Sequence, residues 1–392
     1  MDLQTTCVAV VVREARRQAS GTPSGLHDIE VCCVPRPSSA DTSGFALIRV
    51  SHAALNRRDV WIRMGLYPGL VYDTVLGSDC CGELVSIDPS DGVSAMRLAG
   101  LVGTGADVVV NPACAWGPDD ERPDAHFHIL GMPTAGTFCE YVAVSAAQVH
   151  PKPAHLTAAE AAALPLAGLT AFRACFRKAM VEAADVVLIT GIGGGVALLA
   201  LQFCLAAGAR EVWVTSSSDA KITRAVALGA AGGFNYAEAD WAATMGRALR
   251  GRLTKVVDGA GGAGLNSYIK VMRTGGVIAT YGATARNPKR FDITRLFLKN
   301  IELRGSTMGS PRDFESMLSF VRRHAIVPIV DSVVALRCSA GGASGAEDTG
   351  RALAAFERMR AGQQMGKIVF AMGQSVSDSA RPAAAGAPAA KL

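Results

Sequence analysis

Residues 190–199, TGIGGGVALL, place four glycines between an apolar strand candidate and an apolar helix candidate. The strand candidate is DVVLIT at 185–190, and the helical run reaches Gly208. Glycines leave the backbone N–H groups uncovered where the helix begins, and these groups and the helix dipole attract phosphate. The stretch therefore predicts a strand–turn–helix unit that binds the pyrophosphate of a dinucleotide. The alternative is a tight turn whose glycines serve close packing only.

The spacing of the glycines departs from the usual G-x-G-x-x-G/A fingerprint. Counted from Gly191, the third fingerprint position holds Val196. A shifted pattern of Gly191, Gly194 and Ala197 still supplies three small residues at regular spacing. We predict that the cofactor phosphates contact the residues of this turn, namely Gly191, Gly193, Gly194, Gly195 and Val196.

Five more strand candidates follow the turn at intervals of roughly twenty-five residues, with helical stretches between them. They are EVWVT (211–215), GGFNY (232–236), KVVD (255–258), GVIATY (276–281) and IELRGS (301–306). Together with DVVLIT they predict a doubly wound parallel sheet. Before about residue 157 the chain has short apolar runs split by Gly, Pro and Asp, which predicts a β-rich first domain. Thr157 and Glu160 have the spacing of a helix capping box.

Composition limits the class of protein. The chain has 392 residues, of which 49% are hydrophobic, and this predicts two domains. The net charge is +5 and the basic residues are scattered, so no nucleic-acid partner is expected. Ten cysteines without a secretory leader predict reduced thiols in an intracellular protein. The apolar stretches 161–172 and 196–208 are interrupted, so we expect no membrane span.

The end of the second predicted strand of the parallel sheet selects the cofactor. NAD is usually held there by a carboxylate on its ribose hydroxyls, about twenty residues after the glycines. This chain has Thr215 and Ser216 at that point, with Lys221 nearby. Hydroxyls and an ammonium suit a 2′-phosphate, so we predict NADP(H) in preference to NAD(H). Asp219 is expected to cap the following helix.

The sequence resembles the medium-chain dehydrogenase/reductase superfamily, and most closely its zinc-free, quinone-oxidoreductase-like and alcohol-dehydrogenase-like members. The resemblance rests on the glycine turn and on further stretches in the family's order: ALNRRDVWIRMGLYP (54–68), VLGSDCCGEL (75–84), GTFCEYVAV (136–144), EAAALPLAGLTAFRA (160–174), VVDGAGG (256–262), GGVIATYGA (275–283), GSTMGS (305–310) and GKIVF (366–370). It implies an α/β protein whose Rossmann domain (161–306) is inserted in a GroES-like β-barrel domain (1–160 and 307–373). It also implies a homodimer paired along residues 301–306. Residues 374–392 are rich in Ser, Ala and Pro, and this composition predicts a flexible tail.

The residues at the family's zinc positions depart from its zinc-dependent members. The positions of the three catalytic ligands hold Asn56, Ser78 and Leu166, and Asp79 follows Ser78. An amide, a hydroxyl and an alkyl group do not form a tetrahedral zinc site, so we predict catalysis without metal. The pair His126 and His128 lies between Cys114 and Cys139 in a Pro- and Asp-rich stretch, which we interpret as an exposed loop.

The resemblance places Asn56, Tyr67 and Thr170 near the nicotinamide or the substrate. Asn56 is expected to donate a hydrogen bond to a substrate carbonyl. Tyr67 either donates a hydrogen bond or a proton, or only packs beside Pro68. Asp59 either orients its neighbours or forms a salt bridge with an arginine, Arg58 or Arg63.

The resemblance also implies further cofactor contacts from segments spread along the chain. Those expected along the adenosine and nicotinamide-ribose side are Asp258, Gly259, Gly282 and Ala283. Gly309 and Lys367 are additional candidates. Lys367 reaches a cofactor phosphate or forms a surface ion pair.

These expectations combine into a zinc-independent oxidoreductase that transfers hydride from NADPH to a small-molecule substrate, a quinone or an enone/alkenal. The expected place is the cleft between the domains, where the protein positions the nicotinamide against an electrophilic carbon and excludes water. One alternative is an alcohol/aldehyde dehydrogenase that acts without metal. Another is a non-catalytic NADPH-binding sensor.

The sequence ends in Ala390-Lys391-Leu392, a small–basic–leucine tripeptide. It resembles the peroxisomal signal, whose common form is Ser-Lys-Leu. We therefore expect recognition by a peroxisomal import receptor and a location in a peroxisome or a related organelle such as a glycosome. A bacterial source would instead favour the cytoplasm.

Overall fold

A computed structural model describes residues 6–14, 26–37, 44–88, 92–249, 251–337 and 344–373 of the chain. The described residues form two compact units. One contains the residues up to Leu169 and from Gly309 onward, and the other contains Thr170–Met308. The predicted tail, 374–392, and its Ala390-Lys391-Leu392 ending lie outside the described residues, so the targeting signal stays a prediction.

The first unit begins with short strands and few helices. The strands are β1 (Thr6–Arg13), β2 (Asp28–Pro35), β3 (Phe45–Ala54), β4 (Asp79–Ile87), β5 (Asp107–Val110), β6 (Ala113–Cys114), β7 (His128–Ile129), β8 (Tyr141–Ser145) and β9 (Val149–Pro151). The helices are α1 (Arg57–Arg63), α2 (Gly92–Leu98) and α3 (Ala158–Ala162). Gly, Pro and Asp interrupt the apolar runs, so each run forms a short strand that ends at a turn.

The predicted capping box begins helix α3. The Glu160 backbone N–H donates to Thr157 Oγ1 over 3.3 Å, and the Thr157 N–H donates to the Glu160 carboxylate over 2.8 Å. Helix α3 packs on β3 and β4, so it lies with the first unit. The compact second unit consequently begins at Thr170, whereas the Rossmann segment expected from the sequence begins at residue 161.

The second unit is built on six parallel strands that match the six predicted ones. They are β10 (Val186–Ile189), β11 (Glu211–Ser216), β12 (Gly232–Asn235), β13 (Lys255–Asp258), β14 (Val277–Thr280) and β15 (Glu302–Gly305). The helices of this part are α4 (Pro165–Phe172), which starts in the first unit and continues as a π-helical turn at Arg173–Lys178, α5 (Gly195–Ala206), α6 (Asp219–Ala227), α7 (Trp241–Leu249), α8 (Gly264–Val271) and α9 (Ile293–Leu298). The sheet order is β12-β11-β10-β13-β14-β15.

This strand order is that of a Rossmann fold, in which dinucleotides bind where the order reverses. The reversal lies between β10 and β13. Strand β10 is buried along its whole length, because in a doubly wound sheet helices cover both faces. The glycine turn follows β10 and therefore begins at the reversal point.

The chain then completes the first unit with α10 (Pro311–Arg323), β16 (Val330–Leu336), α11 (Ser344–Arg360) and β17 (Lys367–Met372). Strand β17 pairs antiparallel with β3, and the described strands join in the order β16-β17-β3-β4-β5-β9, with β8 also on β3. This path is open among the described residues and not a closed ring. The predicted fold class, a Rossmann domain inserted in a GroES-like domain, is confirmed.

The sequence is expected to contain no membrane span, and the helices of the structure bear on this expectation. Within the described ranges, each helix is too short or too polar to cross a bilayer.

Candidate functional site

The glycine turn leaves open space in front of helix α5. Gly191 and Gly193 have φ angles of +68° and +117°, a region that favours glycine. Gly194 is the N-cap of α5 and makes no side-chain capping bond. A Cβ added at Gly191 would meet no atom within 4 Å, and one at Gly194 would meet only the Gly191 carbonyl at 3.8 Å. Gly195 and Val196 begin the helix, so their N–H groups have no partner one turn earlier, and the turn fits a pyrophosphate.

Lys221 of helix α6 lies against this turn. A Cβ added at Gly193 would lie 2.9 Å from Lys221 Cδ and 3.1 Å from its Nζ. The bare backbone of Gly193 therefore lets the ammonium group approach the turn. The glycine turn and Lys221 are separated by nearly thirty residues in the sequence, and the fold brings them together. In the sequence, the two were related only because each is expected to contact a phosphate of the cofactor.

Thr215 and Ser216 both bond to backbone N–H groups at the end of strand β11. Both are buried, with 1% and 4% of their surface exposed. Thr215 Oγ1 accepts a bond from the Gly191 N–H over 3.2 Å, and Ser216 Oγ accepts one from the Ser218 N–H over 3.2 Å. The hydroxyls hold the backbone of the two loops, and their contact with a 2′-phosphate stays a prediction.

The residues left accessible after strand β11 are Ser217 and Ser218, which were not predicted from the sequence. The run of Ser216, Ser217 and Ser218 indicated that hydroxyls follow the strand, but the sequence does not show which of them are buried. Asp219 is the first residue of α6, not its cap, and it accepts a bond from the Asn235 amide over 3.0 Å.

Asp258 is fully buried at the end of β13 and is not a cofactor contact. Its carboxylate accepts from the Thr190 hydroxyl over 2.8 Å, and from the Ala260 and Gly261 N–H groups over 3.1 and 3.0 Å. Burial raises the pKa of this carboxyl, and these hydrogen bonds oppose the rise. Asp258 and Thr190 tie β13 to β10 at the reversal point, so the prediction of a cofactor contact from Asp258 is wrong.

The loops after β13 and β14 pack against each other through Gly259 and Gly282. A Cβ added at Gly259 would lie 2.5 Å from the Tyr281 hydroxyl, and one at Gly282 would lie 3.0 Å from the Gly259 carbonyl. Gly259 therefore makes room for Tyr281, which is a packing role. Gly282 and Ala283 stay at least partly accessible at the carboxyl end of the sheet.

Thr170 and Gly309 lie where the chain passes from one unit to the other. Thr170 is buried, and its hydroxyl donates to the Met308 sulfur over 3.7 Å. A Cβ added at Gly309 would lie 2.5 Å from Leu169 Cδ1. Both residues have packing contacts in the structure, and their predicted cofactor contacts stay predictions.

Lys367 is buried in the first unit, with 3% of its surface exposed. Its ammonium lies 2.9 Å from Asp79 Oδ2 and 2.5 Å from Asn56 Oδ1. Strand β17 pairs with β3, and this pairing brings Lys367 to the residues that follow β3. Lys367 therefore forms an ion pair, but the pair is buried and does not lie at the surface as predicted. The alternative contact with a cofactor phosphate stays a prediction.

Asn56 has no free amide hydrogen for a substrate. Its Nδ2 donates to Asp79 Oδ2 over 2.8 Å and to the Ala54 carbonyl over 3.2 Å, while its Oδ1 faces Lys367. The predicted bond from Asn56 to a substrate carbonyl is therefore wrong. Asn56 positions the Lys367–Asp79 pair.

Asp79 is the centre of this buried cluster. It is fully buried, and its Oδ1 accepts from the Leu166 N–H over 2.7 Å. In the zinc-dependent members of the family that this sequence resembles, the positions of Asn56, Ser78 and Leu166 carry the zinc ligands. Here these residues lie around Asp79, and the ammonium group of Lys367 supplies the positive charge beside the Asp79 carboxylate. The importance of Asp79 was not predicted, because its partner lies 288 positions further along the chain.

Arg58 connects Tyr67 to Ser78. Its Nη1 donates to Ser78 Oγ over 2.7 Å, its Nε donates to the Tyr67 hydroxyl over 3.2 Å, and its guanidinium carbon lies 4.7 Å from the Tyr67 ring centre. The hydroxyl is an acceptor in this contact, and among the described residues no group accepts its proton. Tyr67 therefore both packs and keeps a proton to donate.

Asp59 is the third residue of helix α1, forms a capping box with the N-cap Asn56, and has no salt bridge among the described residues. Its Oδ2 accepts from the Asn56 N–H over 2.8 Å, whereas Oδ1 is buried without a hydrogen-bond partner. The predicted pairing with Arg58 or Arg63 is wrong, since Arg63 pairs with Glu357 over 2.5 Å. Burial raises the pKa of Asp59 to about 6, and the nearby Arg58 charge opposes this rise.

The substitution Asp59→Asn is expected to flatten the pH dependence of stability. The pKa is higher in the folded chain than its ordinary value of 3.8, so the folded state holds the proton more tightly. The protonated Asp59 therefore contributes to the free energy of unfolding. This contribution is fully present below the pKa of the unfolded chain and is lost as the pH rises through about 6. The loss amounts to about 3 kcal/mol, which the variant should not show. Urea unfolding at several pH values between 3.8 and about 6 measures this loss for the unaltered protein and the variant. If stability changes with pH in the same way in both, Asp59 does not have the raised pKa.

The two histidines of the Pro- and Asp-rich loop do not form part of a ligand cluster. His126 is exposed, and His128 Nδ1 lies 3.1 Å from the His126 carbonyl. Within the part of the chain that the structure describes, no three His, Cys, Asp or Glu side chains are grouped to hold a metal ion. The metal-free reaction stays a prediction.

Comparison with known proteins identifies the family. Residues 42–154 match the alcohol dehydrogenase GroES-like domain, and residues 195–323 match the zinc-binding dehydrogenase domain. The chain is 36% identical to the zinc-type alcohol dehydrogenase-like protein YogA of Leptosphaeria maculans, over 88% of this chain and 94% of that protein. It is 28% identical to an acryloyl-coenzyme A reductase of Metallosphaera sedula, over 77% of this chain and 87% of that protein.

Among solved structures, the chain is similar to one described as an NAD-dependent alcohol dehydrogenase. The TM-score is 0.78 at 30% sequence identity, with 93% of this chain and 100% of the other covered. The order of the domains, the strand order of the parallel sheet and these matches agree. The chain belongs to the medium-chain dehydrogenase/reductase superfamily and is an oxidoreductase of that superfamily.

Proposed function

We propose that this oxidoreductase transfers hydride from NADPH to a small molecule whose reacting carbon is already activated by conjugation, an enone/alkenal or a quinone, without a metal ion. The observation that carries the proposal is the buried Asp79–Lys367 pair, which bonds to Asn56 and to the Leu166 N–H, two of the three residues at the family's zinc positions. An ammonium ion held at 2.9 Å from the carboxylate opposes a second cation there. A conjugated acceptor is electrophilic without a Lewis acid, whereas a simple aldehyde gains most from one.

The chemistry of an enone acceptor is consistent with the groups present. Hydride adds to the β-carbon, the electron pair of the double bond moves to the carbonyl oxygen as an enolate, and a proton then adds to the α-carbon. The cofactor supplies the hydride when bound. Tyr67 holds a proton that no described residue accepts, and Arg58 Nε donates to the Tyr67 hydroxyl over 3.2 Å, which fixes the position of its oxygen. We therefore assign the proton donor of the proposed reaction to Tyr67.

The similar proteins support both the proposal and one alternative. The name acryloyl-coenzyme A reductase describes reduction of a double bond conjugated to a carbonyl. The alcohol dehydrogenase names favour a second candidate, an alcohol/aldehyde dehydrogenase. The third candidate is a sensor that binds NADPH without consuming it.

One assay separates the three candidates. The pure protein is mixed with NADPH and, in turn, a quinone, an enone, an alkenal, an aldehyde and an alcohol, with and without a chelator. Consumption of NADPH with the conjugated acceptors, unchanged by the chelator, supports the proposal. Turnover restricted to aldehydes or alcohols supports the second candidate. Tight binding without turnover supports the sensor, and stoichiometric zinc whose removal ends turnover would defeat the metal-free reaction.

The choice of NADPH rests on the position of Lys221 against Gly193. Lys221→Gln is expected to weaken NADPH binding about ten- to a hundredfold, because one charge-assisted contact contributes about 1.5–3 kcal/mol. NADH binding should change little. Fluorescence titration with both cofactors measures the effect, with the exposed Lys270→Gln as the matched control. An equal loss for NADH and NADPH would reject the 2′-phosphate assignment.

We also propose that two copies of the chain pair along strand β15. This strand is at the edge of the six-stranded sheet, and Leu303 on it is 41% exposed. Helix α9, which directly precedes this strand, exposes Phe297 and Leu298 by 61% and 69%, and adjacent exposed apolar side chains suit an interface. A second copy would cover these side chains and pair the strand edge.

Phe297→Asp is expected to convert the dimer into a monomer, since a carboxylate would be buried in the interface. Light scattering after gel filtration should show twice the chain mass of 40.6 kDa for the unaltered protein and the single mass for the variant. Val226→Asp changes another exposed apolar residue and is the control. A monomeric unaltered protein would contradict the pairing.

A further inference from the structure

A basic cleft lies in the first unit between strand β9 and helix α10. Its volume is about 850 Å³. Three cationic side chains line it, Arg97, Lys152 and Arg322, together with His150 and His155. The lining contains one carboxylate, Glu315, which is exposed. The cleft therefore carries an excess of positive charge.

The cations of the cleft are held by backbone carbonyls and not by carboxylates. Arg97 Nη2 donates to the Val149 carbonyl over 2.8 Å, and Arg322 Nη2 donates to the Pro151 carbonyl over 2.8 Å. Lys152 Nζ donates to the Leu156 carbonyl over 2.7 Å. Within the described residues, none of the three forms an ion pair. Their positions are thus set while their charges stay uncompensated, and each has further N–H donors.

His150 adds a neutral donor to the same lining. It is 5% exposed, and its Nδ1 lies 3.3 Å from Arg97 Nη1. A guanidinium only donates, so Nδ1 is the acceptor and the proton of the neutral ring is on Nε2. No described residue accepts from Nε2. Burial, with the charges of Arg97 and Arg322, lowers the pKa of His150 to about 3, which agrees with an uncompensated positive field.

We propose that this cleft binds a phosphate dianion, either free or as the phosphate monoester of a small organic molecule. Three cations and one N–H donor suit the three oxygens of a phosphate group. Leu318 and Pro151 line the same cleft and supply apolar surface for an organic substituent. All of these residues belong to the first unit, so the site is separate from the glycine turn and does not rest on the proposed hydride transfer.

Isothermal titration with inorganic phosphate, against chloride at equal ionic strength, tests the site. Arg322→Gln is expected to weaken phosphate binding about tenfold or more, since one charge-assisted contact is lost. Arg323→Gln removes the same charge from the next residue, which does not line the cleft, and should leave binding nearly unchanged. Lys221→Gln should also leave it unchanged. Lys152→Gln provides a second variant of the lining should Arg322→Gln fail to fold.

The site is refuted if inorganic phosphate does not bind, if Arg323→Gln weakens binding as much as Arg322→Gln, or if Lys221→Gln abolishes it. The last result would assign the phosphate to the glycine turn. Phenyl phosphate distinguishes the two sources of the anion. Tighter binding than inorganic phosphate identifies an organic monoester, and equal binding identifies the free ion.

Discussion

Replacing Gly194 with valine is expected to abolish tight NADPH binding and leave the fold intact. The backbone of Gly194 has φ −76° and ψ 149°, which any residue adopts, and an added Cβ would be 3.8 Å from its nearest neighbour. The side chain would instead fill the space in front of helix α5. Loss of about two charge-assisted bonds to the pyrophosphate corresponds to about 3–6 kcal/mol, or roughly a hundred- to ten-thousandfold in Kd.

Fluorescence titration with NADPH gives the Kd, and thermal melting reports the fold. Gly350→Val is the matched control, because an added Cβ at Gly350 in helix α11 has no atom within 4 Å, and Gly350 belongs to the other unit. The control should bind NADPH normally. If Gly194→Val keeps the affinity of the unaltered protein, the glycines serve packing only and the cofactor site lies elsewhere.

Replacing Lys367 with methionine is expected to destabilise the protein by about 3–5 kcal/mol, because it leaves the Asp79 carboxylate buried without a positive partner. Asp79 is fully buried and Lys367 nearly so, and their atoms are 2.9 Å apart. The double variant Asp79→Asn with Lys367→Met removes both charges. It keeps an acceptor for the Leu166 N–H, so it should recover most of the loss. Urea unfolding of the three proteins measures these differences.

The exposed pair of Arg360 and Glu357 provides the control for charge removal as such. Their atoms lie 2.6 Å apart, and their side chains are 49% and 39% exposed. Arg360→Met should therefore cost about 1 kcal/mol or less. A similar small loss for Lys367→Met, or a double variant as unstable as the single one, would show that the buried pair does not hold the site together.

Local features of the fold could be predicted from the sequence. The six strands from β10 to β15 were predicted at their positions. The reason is clearest for the central strands β10, β13 and β14, because a strand covered on both faces needs an apolar run. The Thr157–Glu160 capping box was predicted because its two bonds depend on a spacing of three residues. The glycine turn was predicted because only a bare backbone allows close approach of a phosphate at a helix start.

The direction of individual side chains could not be predicted in the same way. Thr215 and Ser216 follow each other at the end of β11, and both hydroxyls turn to backbone N–H groups. The sequence shows that hydroxyls are present but not which groups they satisfy. Asp258 has the residue type of a ligand-binding carboxylate, yet the fold uses it to join two loops.

The superfamily, the parallel sheet and the turn at its reversal point were predictable from the amino-acid order alone, because each is built from short local patterns that follow one another in a fixed order along the chain. The centre of the first unit, in contrast, is set by contacts between distant segments. Asp79 and Lys367 are 288 positions apart and meet because β17 returns to pair with β3. A buried charge requires an opposite charge beside it, but the amino-acid order does not state which one, since the choice depends on which strands pair in the folded chain.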